Sequence, residues 1–213
     1  MDEELQPLVQ INCYPDITTL TRYEEPDRLC TYRIELEDLA LHLNHVQLHS
    51  GFLPASALAW GIEEKNERVV WYVRRGHYEI QVKQNGAITT LSIPLPAAVL
   101  VGKGTTYDVY AVKQQPKTPN AHLYHFPAPN VGDKGRICSG TATFPPASIA
   151  NMPLAWQTFV QSAFSAHLIQ GRCKSESQNV IHLWETLDDK QAKRFPKREL
   201  LKMNRQLSSV ITP

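Results

Sequence analysis

Hydrophobic and polar residues alternate with a two-residue period through much of the first two thirds of the chain, and this pattern predicts strands. Residues 8–14 and 29–36 have the β-branched and aromatic content of strands and predict an N-terminal hairpin, joined by a connection bearing Pro and Asp. Between Leu36 and His49 two periods compete. Leu36, Leu39, Leu43 and Val46 fit a helical stripe, while Leu41 and Leu43 alternate as a strand would; we read a helix early and a loop by Ser50-Gly51. Residues 54–60 predict a helical turn. The clearest alternation follows at 69–73, 78–82 and 88–93, three short strands of an antiparallel meander. Asn85-Gly86 supplies a tight turn, because both residues tolerate positive φ. Pro94-Leu95-Pro96 then breaks the ladder, and residues 99–101 and 106–112 add one or two strands before a loop containing Pro116 and Pro119.

The period lengthens after residue 150. Trp156, Phe159, Val160, Ala163, Phe164 and His167 recur at three- and four-residue steps, predicting an amphipathic helix over 154–170 that Gly171 would stop, with the aromatics in the core. Residues 180–187 form a short apolar piece around Trp184. Residues 190–205 hold Lys190, Lys193, Arg194, Lys197, Arg198, Lys202 and Arg205, with a helix expected from Pro196. That run could be a solvated helix face, a contact for an acidic partner or a grip on nucleic acid; the solvated face is preferred.

Composition changes little in this picture. With 213 residues, 42% hydrophobic and 20% charged, the chain suits one well-packed domain, and 22 basic against 21 acidic residues give nothing global that points to nucleic acid. The acidic start Met1-Asp2-Glu3-Glu4 is unlike a secretory signal and no apolar stretch approaches a membrane span, so a cytoplasmic protein without membrane association is expected. Cys13, Cys30, Cys138 and Cys173 are too far apart for a disulfide framework or a local zinc set. Cys13 and Cys30 sit in strand-like runs and are expected to be buried small hydrophobes. His42, His45 and His49 could share one helix face, but no carboxylate or cysteine completes a metal set; no cofactor is expected.

Cys138 differs from the other thiols. Pro127-Ala128-Pro129-Asn130-Val131, followed by Gly135-Arg136-Ile137-Cys138, puts a carboxamide eight residues ahead of a cysteine across a turn. A thiolate can carry an acyl group, and a side-chain amide on a proline-stiffened turn can donate N–H to the oxyanion formed at a thioester carbonyl. Gly132 and Gly135 would let the backbone fold over the sulfur. The spacing resembles the active-site flap of ubiquitin-conjugating enzymes, where His-Pro-Asn leads by the same eight residues to Gly-x-Ile-Cys. Here the tripeptide is Ala128-Pro129-Asn130, so the histidine is absent. The whole chain is similar to the divergent bacterial branch that lacks this histidine, including proteins called PRTRC system protein B, whose operons encode a ThiF-type activating enzyme, a ubiquitin-like protein and a JAB-type deconjugating protease; related operons act in antiphage defence.

The resemblance implies an α+β fold, an antiparallel β-meander with a cysteine-bearing flap and C-terminal helices, in one domain over 1–213. Residues 1–66 would be a β-rich N-terminal elaboration, 67–170 the conjugating core and 171–213 a C-terminal helical extension. It further implies that Cys138 accepts a ubiquitin-like protein from an activating enzyme and passes it to an amine of a target protein, with Asn130 steadying the oxyanion. Several roles stay open. His125 could brace the turn or lie on a strand face, Asp133 or His167 could take the proton of the incoming amine, and Cys138 and Asn130 could be a buried hydrophobe and a turn cap. The missing histidine leaves a catalytically inactive scaffold of the same fold as the alternative.

Overall fold

The computed structural model describes residues 9–25, 28–35, 52–63 and 66–211, and its internal contacts divide the chain into two compact units, 1–51 and 52–213. In the first unit, β1 (Val9–Cys13), β2 (Thr18–Glu25) and β3 (Arg28–Ile34) form an antiparallel sheet, with Val9 opposite Arg22 and Leu20 opposite Tyr32. The expected hairpin thus has a third strand where only a connection was read. Its run Thr18-Thr19-Leu20-Thr21 is β-branched enough to pair on both sides. Cys13 is exposed and Cys30 only half-buried, correcting the expectation that both are core. The expected helix after Leu36 and the three histidines at 42, 45 and 49 lie outside the described residues.

The second unit is built on a six-stranded antiparallel sheet. It contains β4 (Ala57–Glu63), β5 (Asn66–Val73), β8 (Ala97–Lys103), β9 (Thr106–Val112), β10 (His122–His125) and β12 (Lys202–Gln206), in the order β12-β10-β9-β8-β5-β4. A three-stranded sheet holds β6 (Gly76–Gln84), β7 (Ala87–Leu95) and β11 (Phe164–Ser165), ordered β11-β6-β7. The turn at Asn85-Gly86 joins β6 to β7 with both residues at positive φ, 50° and 82°, as expected.

The single meander is not found, because β5 pairs with β8 and leaves β6 and β7 in the other sheet. Burial explains the choice. Residues 97–102 of β8 are buried without alternation, so the strand needs a neighbour on each edge and cover on each face, whereas β6 alternates and keeps one face toward solvent. The helical turn expected at 54–60 is instead the edge strand β4, where Trp60 sits opposite Val69 and its indole N–H donates to Glu67 at 2.9 Å.

Two helices cover the sheets. Helix α1 (Met152–Gln161) packs on β6 and β8, and α2 (Val180–Asp189) packs on β7 with Asn179 capping its N-terminus through the amide of Ile181. The expected helix over 154–170 stops at Ser162, whose hydroxyl donates to the Phe159 carbonyl at 2.7 Å. The chain then extends as β11, so that Phe164 enters the core against Phe159 and Trp184, with ring centroids 5.3 and 5.1 Å apart. The helix expected from Pro196 is one 3-10 turn, Lys197–Glu199, followed by the strand β12 and a short α3 (Ser208–Ile211). The result is an α+β fold of mostly antiparallel sheets. No helix among the described residues is long and apolar enough to cross a membrane.

Candidate active site

Strand β10 lies along one edge of β9 only at its C-terminal end, where Tyr124 and His125 face Ala111 and Tyr110. The chain then leaves that edge and comes back to it. Residues 130–138 form a hairpin whose returning limb occupies the vacated N-terminal half of the same edge, with Val109 N–H donating to Gly135 and Ile137 N–H to Tyr107. Within the hairpin Val131 faces Ile137, Gly132 N–H donates to Arg136, and Gly135 N–H closes the turn on Gly132. The amide of Cys138 donates to the carbonyl of Asn130 at 2.8 Å. The eight-residue spacing is therefore the distance across this hairpin.

Three contacts fix the hairpin to the body. The buried indole of Trp184 donates to the Pro127 carbonyl at 2.9 Å, and Tyr110 Oη donates to the Lys134 carbonyl at 2.8 Å while accepting from Arg205 Nη1 at 2.9 Å. Burial pushes the Tyr110 hydroxyl up to about 12, so it holds its proton in this network. Arg172, itself buried, donates to Asp133 Oδ1 at 2.8 Å and to the Leu168 carbonyl at 3.0 Å. Gly135 is required: its φ is +93°, and a Cβ there would strike the Tyr110 ring.

The hairpin opens onto a cleft of about 450 Å³ lined by Asn130, Cys138, Ser139, Ser162, Ser165, His167 and Lys83, among others. Cys138 is exposed there, which does not fit its reading as a buried hydrophobe. Asn130 adopts a left-handed φ of 59°, its N–H donates to the His167 carbonyl, and its Oδ1 accepts from Ser165 Oγ at 3.2 Å. With the oxygen occupied, the Nδ2 end has no partner among the described residues and remains able to donate. Asn is among the residues that tolerate this left-handed backbone, which suits it to the first position of the hairpin.

The sequence model of prokaryotic E2 family D matches residues 37–203, most of the chain. The chain belongs to that family. No curated protein and no solved structure matches it. Membership places this E2-family protein with the ubiquitin-conjugating kind and implies, in general terms, a ubiquitin-like protein and an activating enzyme as partners.

The remaining candidates of this E2-family chain sort by position. Asp133 is at the hairpin turn in an ion pair with Arg172 and does not line the cleft. His167 does line it, from the turn after β11 rather than from a helix. His125 is a half-buried residue of β10, outside the cleft lining; burial, and then the Arg172 charge, hold its imidazole below the usual value. Ala128 is fully buried in the core. Cys173 is buried with its thiol pushed up to about 11 by burial, which leaves it a poor nucleophile. In the basic run, Arg205 supports the hairpin through Tyr110, while Lys190, Lys193, Arg194, Lys197, Arg198 and Lys202 are exposed. Ser165 and Lys83 carry no motif signal in the sequence, and only the parallel pairing of β11 with β6 brings them to the cleft.

Proposed function

We propose that the protein carries a ubiquitin-like modifier as a thioester on Cys138, receives it from a ThiF-type activating enzyme, and transfers it to an amine of a target protein. The observation that carries the reading is the opposition of an exposed Cys138 to an Asn130 amide whose N–H end is free, across one hairpin and at one cleft. In the loading step the Cys138 thiolate attacks the incoming thioester carbonyl and expels the activating enzyme's sulfur. In the discharge step the target amine attacks the Cys138 thioester. Both pass through an oxyanion, which in this reading the Asn130 Nδ2 donor stabilises; removal of one such donor costs roughly 100- to 1,000-fold in rate. His167, at the cleft wall, is the group that accepts the amine proton in this reading. Residues 130–138 then act as the flap, residues 67–170 as the conjugating core, and a JAB-type protease as the deconjugating partner in a bacterial antiviral or mobile-element operon in the cytoplasm.

The test is incubation with activating enzyme, ATP and modifier. A reductant-labile adduct should form, vanish in Cys138→Ala and become reductant-stable in Cys138→Lys. An adduct that survives Cys138→Ala overturns the assignment. One observation favours a second reading, a scaffold that binds modifier or activating enzyme without a thioester: the buried methyl of Ala128 stands where the resembling family has its histidine. A thiol titration of the folded protein separates the two, since the scaffold predicts an unreactive Cys138.

A further inference from the structure

We infer that Lys83 is a self-modification site, an amine that takes the acyl group from Cys138 within the same molecule; this rests on the thioester reading above. Lys83 lies on β6 directly opposite Ser165 of β11 in parallel register. Residues paired across adjacent strands project to the same face of a sheet. Because the Ser165 hydroxyl reaches Asn130, the Lys83 side chain rises on the Asn130 side, and both residues line the cleft that holds Cys138. Val82, the residue before, points the other way into the core at 3% exposure. Nζ of Lys83 makes no ion pair or hydrogen bond to a described residue, so none of these holds it away from the sulfur. Lys83 is also the sole primary amine among the described cleft residues.

The chemistry balances without a further reactant. Unprotonated Nζ of Lys83 attacks the thioester carbonyl carbon, the tetrahedral adduct collapses with cleavage of the C–S bond, and the nitrogen proton passes by way of His167, the acceptor in the discharge step above, to the departing Cys138 thiolate. An isopeptide bond forms and the thiol is regenerated.

A small acyl donor tests this without the modifier. The full-length protein is treated with the 2-mercaptoethanesulfonate thioester of N-acetyl-diglycine and followed by peptide mass spectrometry. A hydroxylamine-labile adduct on Cys138 should appear first and be replaced by a hydroxylamine-stable adduct on Lys83. An intramolecular amine at high effective concentration should make Lys83 labelling at least about tenfold greater than in Cys138→Ala, and Lys83→Arg should prolong the Cys138 adduct by about the same factor. Equal Lys83 labelling in Cys138→Ala overturns the inference, as does a Cys138 adduct that decays at the wild-type rate in Lys83→Arg; both leave the thioester reading standing. Failure of Cys138 to acylate at all, in a protein whose thiol count is confirmed, removes both.

Discussion

The hydroxyl of Ser165 donates to Oδ1 of Asn130 at 3.2 Å, a bond that ties the carboxamide oxygen to β11 and leaves Nδ2 as the end able to donate. Without it the amide can turn its oxygen toward the reacting carbonyl and repel the oxyanion. Ser165→Ala should therefore slow discharge of the Cys138 thioester to free lysine by roughly tenfold, less than outright loss of the donor in Asn130→Ala, where about 100-fold or more is expected. The measurement is single-turnover discharge after quenching the activating enzyme. Because the bond is only partly buried, the thermal midpoint of Ser165→Ala should stay close to wild type; a normal discharge rate would rule out the orienting role.

The pairing of Trp184 with the Pro127 carbonyl links the helix α2 to the segment that leads into the hairpin. The indole is fully buried between Phe164 and the chain before Asn130, so Trp184→Phe keeps most of the apolar area but leaves a buried carbonyl unpaired. A loss of about 1–3 kcal/mol in unfolding free energy is expected from denaturant titration. A change under about 0.5 kcal/mol would mean that the carbonyl finds another donor and that α2 does not fix the hairpin.

How far the sequence foretold this site depends on the range of the interactions involved. Asn130 and Cys138 were legible because their spacing is set by one local hairpin, whose hydrogen bonds join residues no more than eight apart. The Asn85-Gly86 turn was legible for the same reason. Ser165 and Lys83 were not, since they meet only through a two-residue parallel pairing that follows from the early end of α1. That end was itself hidden: Phe164 lies four residues beyond Val160 and fits the helical stripe, yet its place in the core is reached from an extended chain after Ser162. The strand at 57–63 and the pairing of β5 with β8 were misread because pairing partners are chosen by burial over tens of residues, not by local period.

His125 makes stability depend on pH. Burial and the nearby Arg172 charge disfavour its protonated form in the fold, with Asp133 opposing. The folded value lies below the unfolded value of 6.5, so the unfolded chain binds the extra proton first and stability falls as pH drops through 6.5 toward the folded value. Above that window the group contributes no pH dependence. His125→Gln should lose less thermal stability than wild type between pH 7.5 and pH 5.5. Equal losses in the two proteins would assign the acid sensitivity elsewhere.

Restoring the histidine that the resembling flap carries should fail in this chain. Ala128 has no exposed surface, its N–H is turned back onto the Phe126 carbonyl, and it belongs to the same core cluster as Phe126, Val131 and Trp184. An imidazole at this position must displace that packing or enter it with its ring nitrogens unsatisfied, and overpacking of this kind costs typically about 1–3 kcal/mol before the polar atoms are counted. Ala128→His should therefore lower the unfolding free energy by at least that much and slow thioester formation, whereas Ala128→Gly should be milder. Denaturant titration and the loading assay read both. A stable, faster-loading Ala128→His would show that the hairpin has room for the missing side chain, and that the buried methyl is not what keeps it out.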